Sequence, residues 1–299
     1  MSGIPEGIVP VLATPFLADG AVDEESFVRQ VRFCVEAGAA GVAMFGLASE
    51  CFKLSDAERD RLAKLTVEAV GGEIPVVLSV TPQAWELAVE EATRFAAHGA
   101  SALMVMPPFL LGPSAEAALA QVQAVARATR TPVIVQYAPA QTNLRIEPER
   151  FLALGRECPN VHAVKVDAVP AGPMISRLGG QLKAYVGYLG THLPEAVARG
   201  VHGCMPSAAF SRFFVETWRL LREAPPAGRR LHSAVLPLLE FMMQTVDLLL
   251  ACEKRLLVRA GVFTSPTCRR PCVEMDEGQQ REFAVLLERA SPWLPEWTR

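Results

Sequence analysis

One repeating pattern narrows the fold of this chain more than any other feature. Short apolar runs rich in β-branched residues recur over the first two thirds, at 8–13, 41–45, 75–80, 102–106, 133–137, 162–166, 182–186 and 201–205. Each is followed by a turn signal and then by an alanine-rich stretch of helical periodicity. The runs are mostly continuous instead of alternating, as expected of strands buried on both faces in a parallel sheet covered by helices. Eight β-α units within about 200 residues predict an α/β fold of the (β/α)8 barrel (TIM barrel) type. A doubly wound open sheet is the alternative; it lacks its usual support, since no G-x-G-x-x-G follows the first strand.

Helix boundaries are legible between the strands. Ser55 precedes Glu58 by three residues ahead of an apolar face, a capping-box pattern, and Asp23 opens the first helical stretch in a similar way. Gly38, Gly99 and Gly200 close their helices. After the eighth unit the character changes. Residues 229–260 are helical and apolar with no strand candidate, and a last amphipathic helix spans 277–290. The chain therefore divides into a barrel, 1–224, and a C-terminal helical extension packed on it, 225–299, with Ala224-Pro225-Pro226-Ala227-Gly228 as the connection. The extension either supports an oligomer or covers the barrel's outer surface; periodicity does not separate the two.

Composition excludes several classes of function. Among 299 residues, 29 basic and 32 acidic side chains give a net charge of −3 with no basic block, so nucleic acid is not the expected partner and a small molecule is. The apolar stretch at 246–252 falls far short of the roughly 20 residues of a membrane-spanning helix. The first residues lack the pattern of a secretory signal, which makes the cytoplasm the expected location. Seven cysteines are scattered without a C-x-x-C pair and are expected to be reduced and mostly buried. Cys268 and Cys272 lack a second pair or a nearby histidine, so no metal site is expected there. The five histidines show neither metal spacing nor a nucleophile partner.

In such a barrel the chemistry sits at the C-terminal ends of the strands. Only five of the basic residues are lysines, and Lys165 is the conspicuous one, an ammonium group among apolar neighbours near the end of the sixth strand. Desolvation there favours a neutral amine able to attack a carbonyl; the competing explanation is a salt bridge with Asp167. Lys53, Lys64, Lys183 and Lys254 occupy ordinary polar or charged settings. Tyr137, at the end of strand five, is a candidate proton relay or else a buried structural tyrosine. The loop from Gly46 to Glu50 is a candidate cradle for a substrate carboxylate, through backbone N–H groups and the Ser49 hydroxyl, or simply a tight turn.

These residues fall into a familiar order. Val11-Leu12-Ala13-Thr14-Pro15-Phe16 is followed by Asp19-Gly20, then by Gly46 and Glu50 in a G-x-x-x-E loop with Leu54-Ser55 and Glu58-Arg59 behind it. Pro107-Pro108 precede Pro113, Pro139 and Thr142 follow strand five, Pro159-Asn160 lead to Lys165, and Gly187 follows strand seven. Over nearly its whole length the chain resembles the dihydrodipicolinate synthase / N-acetylneuraminate lyase family of Schiff-base lyases. The resemblance implies a (β/α)8 barrel with a C-terminal extension, no cofactor, and a homodimer or homotetramer. It makes Lys165 the residue that forms an imine with the keto group of a 2-oxo acid, pyruvate-type or a 2-keto-3-deoxy sugar acid. It also implies that Thr14, Gly46, Ala48, Ser49, Glu50, Gln136, Gly187 and Met205 line the substrate site and that Tyr137 carries protons.

The chain also departs from the family pattern. Gly46-Leu47-Ala48-Ser49-Glu50 stands where the family has G-T-T-G-E, so hydroxyl contact to the carboxylate falls to Ser49 or is lost. In Gln136-Tyr137-Ala138-Pro139 a glutamine holds the position of the family's relay tyrosine, and a one-residue offset on a strand turns Tyr137 to the opposite face unless a bulge re-aims it. Gln141 replaces the arginine that binds the second substrate of lysine-biosynthetic members, and Leu110 replaces a neighbouring subunit's tyrosine. A lyase performing aldol cleavage, condensation or dehydration is the implied activity. The alternatives are 4-hydroxy-tetrahydrodipicolinate synthesis and a non-catalytic 2-oxo acid binding homologue.

Overall fold

The structure is a computed structural model that describes residues 4–294; the ends of the two predicted units, 1–3 and 295–299, lie outside the described residues. Eight strands form one sheet: β1 (Gly7–Ile8), β2 (Val42–Met44), β3 (Val76–Val80), β4 (Ala102–Val105), β5 (Val133–Tyr137), β6 (Val161–Val166), β7 (Lys183–Val186) and β8 (Gly203–Cys204). All paired strands are parallel, in the order β1-β8-β7-β6-β5-β4-β3-β2. Val11 bridges Ala43 on one side and Ser207 on the other, which closes the ring into a barrel. The eight predicted strands are all present.

The first is the least regular. Its ladder is only two residues long because Pro10 lacks an N–H, although Val9 and Val11 still donate to Cys204 and Pro206 across the seam.

Side-chain alternation sorts the core into two parts. One set, including Val11, Ile134, Ala163, Tyr185 and Met205, fills the barrel interior; the larger set packs between strands and helices. Tyr185 plugs the interior, its hydroxyl donating to the Pro5 carbonyl. Gly203 makes room for that ring, since a Cβ there would lie 2.8 Å from Tyr185 Cε1 and 2.3 Å from the Gly7 carbonyl oxygen.

Helices cover the barrel: α1 (Glu24–Glu36), α2 (Asp56–Val70), α3 (Trp85–Ala97), α4 (Ala115–Ala128), α5 (Pro139–Thr142), α6 (Pro148–Glu157), α7 (Gly172–Leu178), α8 (Leu193–Ala198) and α9 (Ser211–Glu223). Ser55 and Glu58 form the predicted capping box, and Asp23 caps α1 by accepting from the Ser26 N–H. Beyond α9 come α10 (Pro225–Met242), α11 (Val246–Arg259) and α12 (Glu277–Ala290). The expected connection at 224–228 is instead the first turn of α10. Proline is tolerated there because first-turn N–H groups have no intrahelical acceptor. A real break falls later, at 243–245, where the Thr245 hydroxyl accepts the Leu248 N–H and starts α11. That break aims α11 across the C-terminal mouth of the barrel, against the turns that follow β2 and β8.

Candidate active site

Residues on the inward face of β5 and β6 meet at the mouth. Gln136 pairs in register with Lys165, so both side chains point into the same cleft, and Asp167 follows two residues later on the same face. Lys165 is only 6% exposed, and its Nζ lies 3.0 Å from Asp167 Oδ2. That oxygen also accepts from Gln136 Nε2 at 2.9 Å, while Oδ1 accepts the Tyr188 N–H at 3.1 Å. Asp167 is thus held from three directions. Gly187 explains how so many groups fit. A Cβ at this position would lie 1.6 Å from Asp167 Oδ1 and 3.1 Å from Lys165 Cε, so only glycine leaves the carboxylate where it is.

The cleft is narrow, with a cavity volume of about 70 Å³, and opens to solvent. Its walls are largely apolar: Val11, Leu47, Ala48, Leu189 and Met205 from the barrel, with Met243, Val246 and Leu249 from the C-terminal helices. Gln141, Tyr188 and Ser207 supply the other polar groups, and Lys165 is the sole cation among the lining residues.

Of the expected site residues, Lys165, Gln136, Ala48 and Met205 line this cleft, and Gly187 shapes it. Tyr137 is placed elsewhere. It faces the helix layer, where its ring meets Phe151 of α6 edge-on at 5.5 Å, and it is not a lining residue. The strand is regular at that point, with Tyr137 opposite Val166, so no bulge returns the phenol to the cleft.

The loop after β2 also differs from expectation. Thr14 Oγ1 donates to the Ser49 carbonyl at 2.6 Å, and Ser49 Oγ donates to the Leu12 carbonyl at 2.6 Å, so both hydroxyls are spent holding the loop to the first strand. Neither lines the cleft; nor do Gly46 and Glu50. Only the Leu47-Ala48 segment of a short 3₁₀ turn reaches it.

Glu50, expected in the substrate site, is instead paired with Lys254, a partner the sequence did not reveal. Lys254 is not an ordinary charged-helix lysine: it is completely buried, ion-paired with Glu50, donates to the Thr267 carbonyl at 2.9 Å, and lies 4.5 Å from the Phe16 ring centroid. Lys53 holds the other Glu50 oxygen at 2.8 Å. The C-terminal extension is therefore pinned to the loop that borders the cleft. Next to Lys254, Glu253 is also fully buried; its Oε1 accepts the Ala208 N–H at 3.1 Å. Burial pushes this carboxyl up to about 7, against the lowering effect of hydrogen bonds from Ser207, Ala208 and Ala209.

The salt bridge expected as the competing explanation for Lys165 is present, with Asp167 as its partner; Ser207 was detectable in principle, since it lies two residues beyond the inward-facing Met205. Met243, Val246 and Leu249 carried no such signal, because their approach to the cleft is set by how α11 docks. The seven cysteines are all free, and five are buried. Among the described residues no three His, Cys, Asp or Glu side chains gather to hold a metal ion, and no helix is long and apolar enough to cross a membrane.

A closed ring of eight parallel strands, with a lysine, a carboxylate and an amide side by side at its C-terminal mouth, is a (β/α)8 barrel with a polar cluster at the end where such barrels carry their chemistry. The chain belongs to the dihydrodipicolinate synthetase family, whose model matches residues 4–290. An L-2-keto-3-deoxyarabonate dehydratase from Azospirillum brasilense is 29% identical over 304 residues, 97% of this chain and 96% of that protein. A 4-hydroxy-tetrahydrodipicolinate synthase from Stenotrophomonas maltophilia is 36% identical over 160 residues, a match that spans 53% of each chain. Among solved structures, the 4-hydroxy-tetrahydrodipicolinate synthase of Methylacidiphilum fumariolicum SolV has a TM-score of 0.90 at 21% identity over 98% of both chains. YagE, a prophage protein of the same family from E. coli K12 in complex with pyruvate, has a TM-score of 0.87 at 21% identity, covering 96% of this chain and 98% of its own. At such identities the structural likeness shows the fold.

Proposed function

We propose that Lys165 forms a Schiff base with the keto carbon of a 2-oxo acid and that the chain dehydrates or cleaves a 2-keto-3-deoxy sugar acid. The observation that carries this proposal is the Lys165 amine at the floor of the cleft, 3.0 Å from an Asp167 carboxylate that is itself fixed by Gln136 and the Tyr188 N–H. Asp167 takes a proton from the ammonium group, and the neutral amine adds to the keto carbon. The resulting carbinolamine loses its oxygen as water, giving a protonated imine. That imine accepts the electron pair left when a proton departs from C3, forming an enamine. Expulsion of the C4 hydroxyl as water from this enamine gives dehydration. In aldol cleavage the protonated imine instead accepts the C3–C4 bonding pair as the C4 hydroxyl loses its proton, which releases an aldehyde and leaves an enamine that is protonated at C3; in both cases hydrolysis of the imine frees Lys165. In this reading Asp167, 3.0 Å from the amine, carries these protons, and Tyr137, whose ring lies against Phe151, does not.

The full-length similarity to a 2-keto-3-deoxy sugar acid dehydratase supports this substrate class. Dihydrodipicolinate synthesis is less well supported, because Gln141 lines the cleft where the family's arginine would bind the second substrate. We also propose a homo-oligomer, supported by Leu110 and Leu111, which are 74% and 95% exposed on the loop after β4.

Borohydride reduction with pyruvate or a 2-keto-3-deoxy pentonate, followed by peptide mass spectrometry, is expected to leave a stable adduct on Lys165 and none in Lys165→Met. No adduct with either compound refutes the Schiff base. Turnover of pyruvate with aspartate semialdehyde, and none of the sugar acid, overturns the substrate class.

A further inference from the structure

Gln136 has one half of its amide satisfied and the other half bare. Its Nε2 donates to Asp167 Oδ2, whereas Oε1 has no hydrogen-bond partner although the residue is only 2% exposed. The amide cannot be turned round to hide this. An ionised carboxylate only accepts, so the NH₂ must face Asp167 and the carbonyl must face away. The orphan acceptor belongs to a side chain that lines the cleft beside Lys165, is itself covered in this structure, and is reached by a ligand only with a small shift of the amide; the wall around it is otherwise mostly apolar. A buried acceptor without a donor is costly, and such atoms in a binding cleft mark where a ligand supplies the missing group.

We infer that Gln136 Oε1 accepts a hydrogen bond from a hydroxyl of the substrate beyond its keto carbon, which makes Gln136 the residue that selects hydroxylated 2-oxo acids over unsubstituted ones. This rests on the 2-oxo acid proposal and adds the feature of the substrate that the cleft reads. A carboxylate is excluded at this point because it brings no proton to a carbonyl oxygen. Pyruvate and simple alkyl 2-oxo acids have no donor to offer beyond the keto group and leave Oε1 bare. A sugar acid, with hydroxyls along its chain, satisfies it. A site built to bond a substrate hydroxyl discriminates strongly against the analogue that lacks it, because its own polar group is then left unpaired.

The test compares 2-oxopentanoate with 4-hydroxy- and 5-hydroxy-2-oxopentanoate by calorimetry in a Lys165→Met background, which permits neither imine formation nor turnover. At least one hydroxylated ligand is expected to bind about tenfold or more tightly than 2-oxopentanoate. In Lys165→Met/Gln136→Met, nearly the same in volume but without the acceptor, the preference should fall to about twofold or less. Equal affinity for all three ligands in the Lys165→Met protein, or a preference that survives the Gln136 change, overturns the inference. If the double variant fails to fold, the ratio in the Lys165→Met protein still decides it. Borohydride trapping in the wild type is read separately, so loss of the Schiff base and loss of hydroxyl selection are distinguishable results.

Discussion

Replacing Lys254 by methionine is expected to destabilise the protein by about 3 kcal/mol and to impair the cleft without touching any residue that lines it. Lys254 and Glu50 are both 0% exposed. Removing one partner of a buried ion pair typically costs about 3–5 kcal/mol, because the remaining charge stays buried. Here Lys53 still holds the second Glu50 oxygen at 2.8 Å, which places the expected loss at the low end. Two smaller losses act in the same direction: the contact with the Phe16 ring, on the order of 1 kcal/mol, and the Thr267 carbonyl left without its donor. Methionine keeps most of the stem's volume, so little of the effect comes from a cavity.

Glu50 also holds a left-handed backbone at φ 54°, unfavourable for a side-chain-bearing residue, and its two ion pairs keep the loop in that shape. Loosening them should therefore displace Leu47 and Ala48 and lower kcat/KM. Urea unfolding at neutral pH measures the stability change, provided the slope is unaltered. Adding Glu50→Gln removes the stranded charge, so the double variant should be at least about 1.5 kcal/mol more stable than the sum of the single effects requires. A Lys254→Met loss below about 0.5 kcal/mol, the range of an ordinary surface change, or strict additivity in the cycle, would refute this account of the pair.

Other outcomes follow from the same geometry. Gly187→Ala should lower kcat/KM by about 100-fold or more, because its Cβ would lie 1.6 Å from Asp167 Oδ1 and must push the carboxylate from Lys165; activity within a few-fold of wild type contradicts the placement of Asp167. Tyr137→Phe should change kcat by less than about threefold, since the phenol faces Phe151, outside the reach a general acid or base requires; a loss of two orders of magnitude would return it to the mechanism. Burial raises the Glu253 carboxyl from 4.5 to about 7, so between those values the folded state holds more protons than the unfolded one. Stability contributed by the protonated form is then lost as pH rises through that window, levelling off above it, by about 3 kcal/mol at most. Glu253→Gln should flatten this slope in thermal melts across the window, and an unchanged slope would exclude Glu253 as its source.

Much of the barrel was legible because the signals are local. A strand buried on both faces requires a run of apolar residues, a capping box needs two side chains three residues apart, and both can be read without knowing what lies nearby. Strand alternation went further. It set Gln136 and Tyr137 on opposite faces, and the unbroken register from Ile134 to Tyr137 keeps them there; the expectation that Tyr137 carries protons needed a bulge that the strand does not have. Lys165 stood out for the same reason, a charged residue inside an apolar run.

The loop after β2 is set by contacts that are not local. Ser49 has the right chemistry to meet a carboxylate, yet its hydroxyl serves the Leu12 carbonyl, and Thr14 serves Ser49 in turn. Which acceptor a hydroxyl finds depends on distances between segments 35 and 37 residues apart. The lysine at 254 is the sharper case. Flanked by Glu253 and Arg255, it looked solvated, and only the docking of α11 over the barrel mouth takes it out of water and onto Glu50. The sequence by itself determined eight β-α units, the face on which Lys165 lies, and the glycine at 187. Tertiary structure decided which polar groups are left to meet a substrate, because the burial and partners of a charge depend on elements brought together by folding, not on its neighbours along the chain.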